Sequence, residues 1–455
     1  MEHMTLGEIA AACGGIYAGQ DEKKDQSILG AVTDSREIKE GYLFIPIKGE
    51  HVDGHDFIPK VFEQGALATL TEHPLESCQG PYILVKSCLL ALKQIAAYYR
   101  SCLSIPIVGI TGSVGKTSTK EMIASVLSVK YNVLKTLGNF NNEIGLPLTI
   151  LRIQKEHEVA VVEMGISEFG EMHRLGEIAK PDLCVITNIG TCHLENLGNR
   201  DGVLRAKTEV FDHISEGAAV FLNGDDDKLI TVTQAGKSIP VFYGMEGQDF
   251  FMDQVENLGL RGSRARLHTP QGATEVMIPI PGSHNLYNAM AAAGVGLRLG
   301  LSLEEVAEGI ANARTIQGRS NIIEANGLVI IDDCYNANPM SMKASLNVLK
   351  CGLGRTIAVL GDMGELGEQE GHHHYDVGAY AVQNGIDVLF CVGELSKEME
   401  RGAREAGGDT QIFYYQGREE MLSHLMDTVC KGDTILVKAS HFMKFSKVVE
   451  QLLNT

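Results

Sequence analysis

One stretch limits the possible folds more than any other: residues 107–121, reading IVGITGSVGKTSTKE. A β-branched run (Ile105, Ile107, Val108, Ile110) predicts a buried strand. It breaks into a loop holding Gly112, Ser113, Val114, Gly115, Lys116, Thr117 and Ser118, and a helix follows with Met122, Ile123, Val126 and Leu127 on one face. Strand, glycine loop, Lys-Thr and helix form a cradle for phosphate. Backbone N–H groups and the helix N-terminus face the anion, lysine supplies a point charge, and the threonine hydroxyl reaches Mg²⁺. The strict spacing would put the first glycine at position 110, which is isoleucine; the glycines stand at 109 and 112. The stretch predicts a nucleoside-triphosphate site of variant form, against the bland alternative of an ordinary strand-to-helix turn.

At 455 residues a single core is not expected, and two to four domains are. A net charge of −19 argues against generic nucleic-acid binding and against anionic membranes, since no excess of Lys and Arg exists to release counterions. An anionic substrate then needs local basic pockets. No apolar run approaches the roughly 18 residues that span a bilayer, and the first residues carry no signal pattern. The ten cysteines (Cys13, Cys78, Cys88, Cys102, Cys184, Cys192, Cys334, Cys351, Cys391, Cys430) form no Cys-x-x-Cys pair. They read as reduced, mostly buried thiols in a cytoplasmic protein.

Three units follow along the chain. Residues 1–103 form a small α/β unit with two polar clusters, Asp34, Ser35 and Arg36, and Lys48 and Gly49, followed by a turn at Asp53 and His55. These clusters suit a phosphate or diphosphate ligand, or are turns with surface charges. Residues 104–314 alternate strand and helix patterns, predicting a mostly parallel sheet covered on both faces. Within them, a strand closes on Glu163, the placement expected of a Mg²⁺ ligand beside a phosphate loop. Another leads to His193, which would emerge near Glu163 if the two strands are neighbours. Lys207 lies on a helix whose charges read as a solvated face. Asn285 and Asn288 share the first turn of an alanine-rich helix. Residues 239–281 read as an antiparallel flap. Residues 315–455 form a third, Rossmann-like α/β unit without its own glycine loop. Its strand 328–333 looks like a metal-binding acidic strand but lies too far downstream. His372, His373 and His374 point in different directions on a helix and are not expected to share a metal.

The motifs 111–117, 139–147, 163–165, 187–190 with 193–195, Lys207, His284 with Asn285 and Asn288, and 332–339 together resemble the Mur ligase family over essentially the whole chain. Segments 141–147, 335–339 and 361–367 are similar to members that add D-Ala-D-Ala. The Asp-Asn-Pro-Arg tetrapeptide of a sibling enzyme is absent. The resemblance implies three domains, for UDP-substrate binding, ATP binding and a mobile C-terminal part. It also implies an acyl-phosphate reaction joining D-Ala-D-Ala to UDP-MurNAc-tripeptide with ATP and two Mg²⁺ ions, in a monomeric enzyme. By matching positions, Lys116, Glu163, His193 and Lys207 are catalytic. Thr117 and Glu163 would hold one ion, and Glu163 with His193 a second, near a carbamylated Lys207. Asn285, Asn288, Arg319, Asp333, Tyr335 and Asn336 would approach the nucleotide. Asp34, Ser35, Arg36, Lys48, Gly49, Asp53 and His55 would take the UDP-sugar, with Asn141 and Asn142 closer to the sugar. One departure is His441, where the family tends to have arginine; histidine lacks the planar fork that binds anions. A relative joining other amino acids, such as a folylpolyglutamate synthetase, would lack the Asp34–Arg36 unit. A nucleotide-regulated switch would want Asn-Lys-x-Asp near Thr187, and it is not there.

Overall fold

The computed structural model describes residues 4–76 and 79–454, so Cys78 lies outside the described residues. Three sheets succeed one another along the chain, each mostly parallel and each carrying helices, an α/β architecture throughout. The first has five strands in the order Ile16–Ala18, Tyr82–Leu84, Ala68–Thr71, Tyr42–Phe44 and Gly30–Val32, with only the first pair antiparallel.

The central sheet has nine strands and is organised about Ile107–Thr111, every residue of which is buried. Its neighbours are Val159–Glu163 on one side and Leu183–Ile186 on the other, both parallel. The strands leading to Glu163 and His193 are therefore not neighbours: the phosphate-loop strand lies between them. Continuous apolar runs explain the burial, since a parallel strand with helices on both faces has no polar side. The 239–281 region is only partly the expected flap. Val241–Gly244 joins the sheet in parallel, while Phe250–Asn257, Ser263–Thr269 and Gly272–Ile278 extend it as an antiparallel meander.

Helix Lys116–Leu127 buries Met122, Ile123, Val126 and Leu127, as its spacing predicts. It packs so closely on helix Leu303–Ala311 that a Cβ at Gly309 would come 2.4 Å from Val126 Cα, which only glycine avoids. The third sheet runs Asn321–Ala325, Leu328–Asp332, Thr434–Lys438, Thr356–Gly361, Val388–Val392 and Gln411–Tyr415, parallel except for its first pair. Its His374 is buried, with Nδ1 at 2.7 Å from Glu370 O and Nε2 accepting the Met363 N–H at 2.9 Å, so that histidine serves the fold. The described cysteines are free, but only Cys88, Cys184, Cys334 and Cys391 are buried. Small thiols tolerate half-exposed positions, so the expectation of mostly buried thiols is too strong. No helix among the described residues is long and apolar enough to cross a membrane.

One apolar cluster runs without a break from the first sheet onto one face of the central sheet, including Leu43, Ile83, Ile95, Leu146, Val162 and Ile186. The junction is pinned by Arg100, nearly buried at the end of helix Cys88–Ser101. Its guanidinium donates to the carbonyls of Ala179 (2.8 Å) and Lys180 (3.0 Å) and to Asp182 Oδ2 (2.9 Å), and that same oxygen accepts the Ile107 N–H at 2.8 Å. Arg100→Met should cost roughly 3 kcal/mol, because three carbonyls, that of Leu103 at 3.2 Å included, and a carboxylate lose their donor. Denaturant unfolding of the full chain would register this as a lower midpoint; an unchanged midpoint would mean water replaces the arginine freely.

Candidate active site

The parallel strands around Ile107–Thr111 open their carboxyl ends on one edge, where ligands of such sheets bind. Gly112, at φ +146°, lets the chain turn beneath Thr187; a Cβ there would lie 2.0 Å from Thr187 Oγ1. Thr187 and Asn188 then clamp the loop. Thr187 Oγ1 and Asn188 Nδ2 donate to the Val114 carbonyl at 2.6 and 3.0 Å, and the Val114 N–H donates to Asn188 Oδ1 at 3.0 Å. Ser113 Oγ accepts the Gly190 N–H at 2.8 Å. Gly115, at φ +84°, starts the helix, and the Lys116 ammonium reaches back to the Gly112 carbonyl at 2.8 Å. Burial pushes the Lys116 pKa down, with Glu163 opposing it.

Glu163 is buried at the end of its strand. Its two oxygens accept from Thr117 Oγ1 (3.0 Å) and Asn141 Nδ2 (2.8 Å). A hydroxyl and a carboxylate meeting beside the phosphate loop are hard oxygen donors of the kind Mg²⁺ takes together with phosphate oxygens. Asn141 is thus occupied with Glu163, while Asn142 Oδ1 accepts the Ile144 and Gly145 N–H groups and starts helix Gly145–Leu151.

His193 stands in the left-handed region at φ +56° and faces Glu365, itself at φ +62°, with Nδ1 at 2.9 Å from Oε2. Two non-glycine residues in that region facing one another mark a locally strained junction of the kind that clusters at functional sites. Burial lowers the His193 pKa and Lys207 and Lys116 add to it, against the pull of Glu365. Lys207 is not on a solvated face: it is 2% exposed, and its pKa is pushed down to about 7 by burial first and Lys116 second. No carboxylate pairs with it among the described residues.

The third sheet faces this edge with Arg319, whose guanidinium lies over the Tyr335 ring at 4.0 Å. Asp333 accepts from Lys438 Nζ (2.6 Å), Ser345 Oγ (2.5 Å) and the Ser320 N–H (3.0 Å), and Lys438 also donates to the Asn336 carbonyl at 3.0 Å. Asn288 Nδ2 donates to Asn285 Oδ1 at 2.8 Å while Asn288 Oδ1 accepts from Thr119 Oγ1 at 2.7 Å. Together these elements enclose a cavity of about 760 Å³ lined by residues 113–118, Asn141, Asn142, Glu163, His193, Asn288, Arg319, Asp333, Tyr335 and Asn336. Gly112, Lys207 and Asn285 stand just outside its lining.

Of the residues expected at the UDP-sugar, Asn141 and Asn142 line the cavity, and those of the first unit lie apart from it. Asp34 grips Arg36 in a two-pronged pair (2.9 and 2.6 Å), which holds its carboxyl down at about 2. Ser35 opens the short helical turn between them. Lys48 and Asp53 bridge through their backbones, and the Gly49 N–H donates to the Val52 carbonyl at 2.9 Å. His55 is turned inward, its Nδ1 donating to Asp53 Oδ1 at 2.6 Å and its Nε2 accepting the Glu72 N–H at 3.2 Å, so its ring serves the turn. Lys438, His284, Ser345 and Glu365 also line the cavity and were not picked out as site residues. Lys438 ends a parallel strand, a signal the sequence carries. Its partner Asp333 lies 105 residues earlier, and that pairing is invisible along the chain.

Comparison with known proteins agrees with this geometry. Residues 28–100 match the Mur ligase family catalytic domain, residues 110–296 the Mur ligase middle domain, and residues 318–441 the Mur ligase glutamate ligase domain. The chain is 36% identical to the UDP-N-acetylmuramoyl-tripeptide–D-alanyl-D-alanine ligase of Bacillus subtilis, covering 99% of this chain and 98% of that one. A crystal structure of MurF from Acinetobacter baumannii superposes with a TM-score of 0.92 at 34% identity, over 100% of both chains. MurF from Thermotoga maritima in complex with ADP does so with a TM-score of 0.82 at 31% identity, over 93% and 97%. With relatives this similar over nearly its full length, and a phosphate loop, acidic strand end and third unit meeting at one cavity, the chain belongs to the Mur ligase family.

Proposed function

We propose that the chain joins D-Ala-D-Ala to UDP-MurNAc-tripeptide in an ATP-dependent amide ligation of peptidoglycan precursor synthesis. The observation that carries this reading is the single cavity gathering Lys116, the Thr117–Glu163 pair, and Arg319, Asp333 and Tyr335 from the third unit. The relatives' printed activity and the ADP complex of the Thermotoga maritima protein support it. Residues 1–103 would take the UDP end, 104–314 ATP, and 315–455 the dipeptide side.

In this reading the tripeptide's terminal carboxylate attacks the γ-phosphorus of ATP, ADP leaves, and an acyl phosphate forms. The dipeptide amine then displaces phosphate, giving an amide and releasing one proton. The protein has little covalent work to do; it positions groups and neutralises charge. Loop N–H groups and Lys116 hold the triphosphate. Thr117 and Glu163 would hold one Mg²⁺, and Glu163 with His193 a second, which when bound screen the carboxylate from the polyanion. Arg319, flat against Tyr335, offers a cationic plane to the nucleotide from the opposite wall. The low pKa of Lys207 supports carbamylation: the neutral amine adds to CO₂, an N–C bond forms as one C=O π bond opens, and an amine proton passes to solvent, giving a carbamate whose oxygens would be donors for the second ion.

Phosphate release should require both UDP-MurNAc-tripeptide and D-Ala-D-Ala, and Lys116→Ala should reduce it by about 10²–10³-fold. Stimulation by a free amino acid in place of the dipeptide would keep the fold and discard the substrate. Lys207 gives a second test. The unfolded chain holds its proton up to about pH 10.4 and the folded chain releases it near 7, so between these values unfolding takes up a proton and stability rises with pH. In CO₂-free buffer Lys207→Met should melt above the parent at pH 7, with the gap closing by about pH 10. A gap that does not change with pH would show that the lysine is not desolvated.

A further inference from the structure

A second group of metal-ligating side chains lies in the first unit, away from the cavity. His55 Nε2, Cys88 Sγ and a Glu72 carboxylate oxygen all fall within 4.8 Å of one another. They come from three elements: the turn Gly54–Phe57, the residue just past strand Ala68–Thr71, and the first residue of helix Cys88–Ser101. Cys88 Sγ and His55 Nε2 are 3.7 Å apart. That is close to the roughly 3.5 Å edge of a tetrahedral site with a Zn–S bond of about 2.3 Å and a Zn–N bond of about 2.0 Å.

The surroundings point the same way. Asp53 can only accept, so the 2.6 Å contact fixes the proton on Nδ1 and leaves the Nε2 lone pair to the Glu72 N–H at 3.2 Å and the Cys88 thiol at 3.7 Å. A carboxylate behind the imidazole is the usual orienting partner of a zinc-binding histidine. Cys88 heads its helix behind the Ser87 cap, where the positive end of the helix dipole favours a thiolate. His55 and Cys88 are buried while Glu72 is exposed, and Glu72 Oε1 accepts the Cys88 N–H at 2.8 Å, which holds the carboxylate beside the thiol.

We propose that His55, Cys88 and Glu72 bind one zinc ion, with water in the fourth, outward position. The mixed N, S and O donor set suits Zn²⁺ and not Mg²⁺, which takes oxygen ligands, so this site and the cavity would not compete for the same ion. On binding, the Cys88 S–H bond breaks, a sulfur–zinc bond forms and the proton passes to solvent; the ion replaces the 3.2 Å Glu72 N–H contact on Nε2. The ion would staple the turn after Lys48 and Asp53 to the sheet and to helix Cys88–Ser101. This inference does not rest on the ligase reading.

The test uses full-length protein stripped with a chelator and titrated with ZnCl₂ or CoCl₂ in Mg²⁺-containing buffer. Zinc should raise the melting temperature, and cobalt should give the intense ultraviolet thiolate-to-metal absorption. That absorption should persist in Cys192→Ser, which removes the thiol beside the cavity, and vanish in Cys88→Ser. Zinc affinity should fall at least about 100-fold in Cys88→Ser and about 10–100-fold in Glu72→Gln. Should Cys88→Ser not fold, Glu72→Gln, at an exposed carboxylate, carries the test alone. No thiolate band in the parent, a band retained in folded Cys88→Ser, or zinc affinity unmoved by Glu72→Gln would each overturn the proposal.

Discussion

Glu163 is a buried carboxylate whose two oxygens are met by neutral donors, the Thr117 hydroxyl and the Asn141 amide. Burying such a charge is costly unless it is hydrogen-bonded, and an arginine partner would have satisfied it more strongly. Neutral donors stabilise the carboxylate without cancelling its charge, so its field stays available to a cation. Thr136 Oγ1 accepts the Glu163 N–H at 3.0 Å and fixes the strand end behind it. Much of the surrounding geometry follows from this arrangement: the loop must present Thr117, and residue 141 must come back across the sheet edge.

The loop is held from outside itself. Thr187 and Asn188 spend their side chains on the Val114 peptide, so the phosphate loop takes its shape from the end of the adjacent strand. The opposite wall repeats the logic with charges. Lys438 and Ser345 lock Asp333, leaving the half-buried Arg319 over the Tyr335 ring as the cation on that wall. A buried ion pair such as Asp333–Lys438 fixes a conformation more than it adds stability.

Much of this was legible from residues alone. Parallel strands covered on both faces are continuous apolar runs, and Gly112, Gly115, Lys116 and Thr117 announce a phosphate loop despite the irregular spacing. What stayed hidden depends on pairing between distant segments. Strand order is such a property, so Glu163 and His193 lie on either side of the loop strand and not side by side. Lys207 is read as solvated because its helix is charged, yet it is buried where that helix packs. Asn141 and His55 carry donors that suit a ligand, and contacts to Glu163, Asp53 and Glu72, far off or across a turn, engage them. Lys438 escaped notice because Asp333, which gives it meaning, is remote in the chain.

Among the described residues, the apolar cluster joining the first sheet to the central one has no counterpart of similar extent toward the third sheet, against whose clusters only a partly buried Leu260 of the central unit packs. Polar contacts also cross the cleft, as in His193–Glu365 and the Asn338 amide on Cys192 Sγ at 3.5 Å. Such contacts exchange with water at nearly even free energy, whereas separating apolar faces does not. The first two units therefore share one core. The third meets them across the cleft with less apolar contact, so a molecule spanning both walls would add contacts that neither wall makes alone.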